Sequence, residues 1–283
     1  MSPPREEHLL PAAPILISPP KGWADLELRE LWRYRELLYF FAWRDLKVRY
    51  KQTLIGASWA VIQPFMIMIV FTIFFGRILN LPSGGLPAPL FYYSALLPWT
   101  YFVTAMSGAA NSVVSNQGII TKTYFPRLVL PLSAVIPPMV DFAIAFVVLL
   151  VMMVYYGIVP GLAILTLPLF MALAILTAIA VGLWLSALNA IYRDVRHVLP
   201  FIIQLWFFIS PVVYSAELLP ERFQALYGLN PMAGVITGFR WAITGEGSPP
   251  GVLTLVSTAV VIATLVSGFI YFRSRETLIA DVV

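Results

Sequence analysis

Long uncharged apolar runs alternate along this chain with short polar islands. Twenty-five uncharged residues separate Lys51 from Arg77, 51 separate Asp141 from Arg193, and 26 separate Glu246 from Arg273. A helix crossing roughly 30 Å of hydrocarbon needs about 20 mostly apolar residues. Turn chemistry at Leu81–Pro89, Gly157, Pro160–Gly161 and Pro249–Gly251 cuts the runs further. The pattern predicts an all-α integral membrane protein with six transmembrane helices, at about 53–78, 90–114, 130–156, 162–189, 198–216 and 251–272. The fifth is short and holds Pro200 and Pro211.

The remaining segments have their own patterns. Residues 1–25 are proline-rich and read as irregular. They make no convincing secretory signal, because Pro11 and Pro14 interrupt the apolar stretch and Glu6 and Glu7 precede it. Residues 26–52 read as helix. Within them Tyr39, Trp43, Leu46 and Tyr50 fall on one narrow stripe flanked by Arg44, Lys47 and Lys51. That is the pattern of an amphipathic helix lying in the headgroup layer, or of a soluble helix packed on a partner. Residues 217–249 hold apolar stretches too short to cross, with Asn230-Pro231 suited to a helix start. They read as short re-entrant helices between spans five and six, or as a surface cap. Residues 274–283 read as a tail.

Composition agrees with the membrane. Apolar residues make up 60% of the 283 and charged residues only 11%, against about 25% in an average soluble domain. An ordinary soluble enzyme, a disordered chain and a nucleic-acid module are all excluded. Six spans put both termini on one side. With that side cytoplasmic, fifteen of the 18 Lys and Arg lie inside and three, Arg77, Arg222 and Arg240, lie outside. The basic balance thus reflects topology and anionic lipid rather than nucleic acid. With no cysteine, the chain has neither a disulfide framework nor a thiolate site, and His8 and His197 are too few for a metal site.

Chemistry is sparse. No G-x-x-x-x-G-K-[ST] cradle, G-x-S-x-G or H-E-x-x-H occurs. No Asp-x-x-Asp pair occurs of the kind that holds Mg²⁺ near a polyprenyl phosphate, which disfavours a membrane enzyme. Asp141 is the one clear intramembrane carboxylate. It is either a structural group paired with a hydroxyl, a backbone donor or an Arg, or a substrate or gating group. The 40 Phe, Tyr and Trp residues are abundant. Individually they read as interface belts or packing. Collectively they suit a path for a sugar polymer, whose C–H faces pack on rings and which must slide through weak, repeated contacts.

The run Trp43-Arg-Asp-Leu-Lys-Val-Arg-Tyr-Lys-Gln-Thr-Leu-Ile-Gly-Ala-Ser-Trp-Ala-Val-Ile-Gln-Pro64 resembles the start of the permease subunit of polysaccharide ABC exporters. Tyr124-Phe-Pro-Arg127, Tyr192-Arg-Asp194 with Ser210-Pro211, and Leu229-Asn-Pro-Met232 with Phe239-Arg240 follow in the same order, so the likeness covers roughly 28–275. The resemblance implies a homodimer in the inner membrane that exports a lipid-linked polysaccharide such as O-antigen, capsule or teichoic acid. It implies two separate ABC ATPase subunits below, which bind the ATP and Mg, leaving no cofactor on this chain. Lys122, Tyr124, Phe125 and Arg127 resemble the coupling element that seats in an ATPase, and Arg193 and Asp194 lie in the second loop facing such a partner. The helices of 217–249 are similar to an outer gate. Spans one and five line the conduit in such proteins, which singles out Trp59, Phe65, Trp206, Phe207 and Tyr214. A related permease for a small lipid or drug is the rival reading, and it would need a pocket rather than a channel.

Overall fold

The computed structural model describes residues 28–51, 58–192, 194–218, 220–245, 249 and 251–282. The proline-rich segment 1–25 and Arg193 lie outside them. The described residues form α-helices and helical turns, with no strand among them. In chain order the helices are α1 (Leu28–Arg33), α2 (Arg35–Lys51), α3 (Trp59–Phe71), α4 (Ala88–Ser115), α5 (Gln117–Ile120), α6 (Val129–Ala134), α7 (Pro137–Tyr155), α8 (Leu167–Ile191), α9 (Val195–Ile209), α10 (Glu221–Tyr227), α11 (Pro231–Thr244) and α12 (Val252–Val282).

Four helical stretches are long and apolar enough to cross a membrane: Trp59–Ile78, Val129–Tyr155, Leu162–Ile191 and Val252–Glu276. The first continues α3 as π-helical turns over Thr72–Ile78. The second is α6 and α7, interrupted before Pro137-Pro138 because proline supplies no N–H to the ladder. The third opens with a 3₁₀ turn at Leu162–Thr166.

α4 has 28 residues and no charge, yet its apolarity is diluted by Tyr, Trp, Ser, Thr and Pro. The reason is its position. α4 is the central helix, packed on α8, α7, α6, α3 and α11, and its polar side chains satisfy themselves inside the bundle. The Tyr93 hydroxyl donates to the Ala145 carbonyl at 3.2 Å and the Tyr101 hydroxyl to the Val135 carbonyl at 3.2 Å. Where α8 crosses α4, a Cβ on Gly182 would stand 2.7 Å from the Ala109 Cβ, so the two backbones meet through small residues.

Two helix ends differ from the sequence expectation. α9 stops at Ile209, because Ser210 is extended before Pro211, where proline disfavours helix in its predecessor. Its 15 residues rise about 22 Å, less than a full hydrocarbon layer. α12 instead runs through the expected tail to Val282, since no Pro or Gly follows Gly268 to break it. The N-terminal helix is divided by a turn at Tyr34 into α1 and α2.

α11 is largely buried among α4, α8 and α12. Its start is capped by Asn230, whose side-chain oxygen accepts from the Met232 N–H at 3.1 Å, with Pro231 in the first turn. Gly245 closes it in the left-handed conformation at φ 65°.

Candidate functional site

Three places gather the residues of interest. The first is a cleft of about 940 Å³ between α3, α4, α7 and α9. Trp59, Gln63 and Pro64 line it from α3, Trp99, Thr100 and Thr104 from α4, Phe142 from α7 and Phe207 from α9. The rings interlock: Phe207 is edge-on to Trp99 at 5.4 Å and tilted on Phe71 at 5.8 Å. Of the five aromatics singled out in the sequence, Trp59 and Phe207 line this cleft. Phe65 sits on the exposed side of α3, outside the lining.

Arg49 and Asp141 also line the cleft. Arg49 Nη1 lies 2.5 Å from Asp141 Oδ2, and the Tyr50 hydroxyl donates to Asp141 Oδ1. The carboxylate on α7 is therefore gripped by two neighbouring side chains of α2. Pairing with an Arg and a hydroxyl is one of the arrangements expected of a carboxylate within an apolar run. Burial first, then the hydrogen bond to Asp141, raises the Tyr50 hydroxyl above the usual phenol range. Arg49 had no signal in the sequence beyond being one of many cations near α2.

The stripe Tyr39, Trp43, Leu46, Tyr50 divides in the structure. Tyr39 and Trp43 are exposed and stacked on each other, with ring centroids 6.3 Å apart. Leu46 is half-buried and Tyr50 turns to Asp141. The inward face of α2 is instead Phe41 and Ala42.

The second place is the loop between α5 and α6, at the end of the bundle where α4 and α8 also finish. There the Asn189 side-chain amide donates to the Ala110 carbonyl at 2.9 Å and to Asn111 Oδ1 at 3.1 Å. Lys122 and Tyr124 face outward, Tyr124 being 67% exposed. Phe125 is 5% exposed and packs on Phe41 at 5.7 Å. Arg127 turns to α12: its backbone N–H donates to Glu276 Oε1 at 3.1 Å and its guanidinium to the Glu276 carbonyl. Glu276 Oε2 also pairs with Arg273 at 2.7 Å. Asp194 is exposed at the start of α9. Of the loop candidates, Lys122, Tyr124 and Asp194 are thus exposed, whereas Phe125 and Arg127 hold the loop to the bundle.

The third place is the opposite end, where α9 breaks. The Ile209 carbonyl accepts from the Tyr227 hydroxyl at 2.7 Å and the Tyr214 hydroxyl at 3.0 Å. Trp206 Nε1 donates to Asn230 Oδ1 at 2.8 Å, and the Asn230 amide donates to Ser210 Oγ at 3.0 Å. Trp206 and Tyr214 therefore belong to a polar network joining α9 to α10 and α11, away from the cleft lining. The network supplies partners to a helix end whose last carbonyls would otherwise lack them.

The uncovered faces of α3 and α9 are apolar. Trp59, Ile62 and Met66 on α3 and Phe201, Leu205 and Phe208 on α9 are exposed large side chains. A chain with this helical content, four spans and an aromatic cleft is a multi-pass membrane protein. A family model described as ABC-2 type transporter matches residues 36–244, and the chain belongs to that family. It is 28% identical over 258 residues to the O-antigen export system permease protein RfbA of Myxococcus xanthus, covering 90% of this chain and 98% of that protein. It is 30% identical over 206 residues to the protein of the same name from Klebsiella pneumoniae, 72% of this chain and 79% of that one. The polysialic acid transport protein KpsM of Escherichia coli is 21% identical over 237 residues, 82% of this chain and 91% of that one.

Proposed function

We propose that this chain is the permease subunit of an ATP-driven exporter that moves a lipid-linked polysaccharide, O-antigen in the first instance, across the cytoplasmic membrane. The observation that carries it is the aromatic cleft in a chain alignable over 98% of an O-antigen export permease. A ring-lined cleft without a net charge suits repeated sugar units. Its rings bind each unit weakly enough to release it.

Two copies would face each other across α3 and α9, the helices that carry Trp59 and Phe207 of the cleft and whose outer faces no other described helix covers. α4 and α9 complete six spans, α9 lying in a thinner layer next to the re-entrant pair α10 and α11. The fifteen-to-three bias of Lys and Arg supports an orientation with both termini and the α5–α6 loop in the cytoplasm. ATP and Mg belong to two separate ATPase subunits docked on Lys122, Tyr124 and the Asp194 loop. The chain's lack of a P-loop supports that division. Hydrolysis pushes these loops, and the two copies move against each other.

The test is reconstitution with the ATPase in proteoliposomes. A lipid-linked glycan of several repeats should stimulate hydrolysis and cross the bilayer. Stimulation by small lipids or drugs alone would overturn the polymer assignment.

A further inference from the structure

The loop end and the hairpin end of the molecule are joined by one continuous helix. α12 runs 31 residues from Val252 to Val282 with no proline. At the loop end, Glu276 accepts the Arg127 N–H on its carboxylate and the Arg127 guanidinium on its carbonyl. Around it, Phe272 and Ile279 of α12 share an apolar cluster with Phe125 and Leu128 of the loop. At the hairpin end, the Ser257 hydroxyl is shared among three backbone groups of the α10–α11 hairpin. It lies 3.0 Å from the Gly228 carbonyl and 3.2 Å from the Asn230 carbonyl, and it accepts the Gly234 N–H at 3.2 Å. A Cβ on Gly234 would stand 2.6 Å from the Ser257 Cβ, so α11 and α12 are in backbone contact there. Ser257 and Glu276 are separated by roughly 28 Å of axial rise, close to the hydrocarbon thickness.

We propose that Glu276 is a positioning residue that clamps the α5–α6 loop to α12, and that α12 carries the loop's displacement across the membrane to the α10–α11 hairpin. The proposal rests on the reading of that loop as the ATPase-docking element. An intact helix is stiff along its axis. A loop held to it by two hydrogen bonds and a shared apolar cluster cannot shift without moving it. At the far end, the Ser257 bonds and the close Gly234 contact leave the hairpin no slack. Arg127 then serves transmission by holding α12, while the exposed Lys122 and Tyr124 meet the ATPase.

The chain has no cysteine, so a single thiol reports cleanly. Leu226→Cys on the exposed side of α10 is labelled with a membrane-impermeant maleimide in the assembled transporter, with and without ATP turnover. Turnover should change the labelling rate in this parent. Glu276→Ala should shrink that change about threefold or more while the ATPase stays bound and hydrolysing. Glu276→Gln keeps an acceptor for the Arg127 N–H and should restore most of it. Ser257→Ala frees the hairpin from the other end and should give the same loss. It decides the case if Glu276→Ala fails to accumulate. Full ATP-driven labelling changes in Glu276→Ala or, where that variant is not obtained, in Ser257→Ala overturn the proposal alone. A parent protein that recruits no ATPase overturns the permease reading, and this proposal with it.

Discussion

At the scale of single residues, the cleft sorts the aromatics by position rather than by type. Trp59 and Phe207 line it, whereas Phe65 does not. The double substitution Trp59→Ala with Phe207→Ala should lower polymer export about tenfold or more, because it removes two of the rings that line the cleft. Phe65→Ala should stay within about twofold. Export assays on membranes with matched protein levels distinguish these outcomes. The Arg49–Asp141 pair makes a different prediction. Both side chains retain partial exposure, 35% and 25%, so water screens the pair. A double-mutant cycle of Arg49→Gln and Asp141→Asn should give a coupling energy of about 1 kcal/mol or less in thermal unfolding. Tyr50→Phe should cost about 1 kcal/mol, the worth of one hydroxyl hydrogen bond.

None of these contacts between side chains was legible in the sequence. Asp141 stood out as a carboxylate within an apolar run, and a partner was expected on physical grounds. Arg49 lies 92 positions away. Only the fold chooses it over the other cations of α2. Trp99 and Phe142 are not singled out for the conduit in the sequence for a related reason: an aromatic in a span looks the same whether it faces lipid, a neighbour or a cleft.

At the scale of helices, hydrophobic run length found the apolar stretches that hold α3, α8 and the body of α12, because crossing hydrocarbon is a property of a local stretch. It misjudged helix ends where charge and helicity part company. Arg275 and Glu276 read as a tail, yet they continue α12 because charged side chains cost a helix nothing once it leaves the apolar layer. α4 gave a diluted signal because an interior helix can carry Tyr, Ser and Thr partnered inside the bundle. Its packing makes a sharp prediction. Gly182→Ala must force α8 off α4 and should cost about 1–3 kcal/mol, read as a lowered unfolding midpoint in detergent. Ala109→Gly in the same chain should recover part of the loss, since it opens the space that the new methyl needs.

At the scale of the whole molecule, α3 and α9 are the elements that one chain leaves uncovered on the cleft side. If two copies meet there, single cysteines at Met66 or Phe208 in this cysteine-free chain should cross-link into dimers in native membranes. A cysteine at Val147, exposed on α7, should not. A chain that yields monomers at all three positions would remove the two-copy arrangement.

Sequence alone determined that this protein is helical, apolar and membrane-embedded, and where most of its spans run. Those features follow from the solvation of consecutive residues and from loop charge, both additive along the chain. The tertiary structure alone decided that Trp59 and Phe207 line one cleft, that Asp141 is held by Arg49 and Tyr50, and that Arg127 bonds Glu276 of α12. Those features depend on how each helix is rotated about its axis against its neighbours. That rotation is set by the packing of all of them together, which no single stretch of the sequence contains.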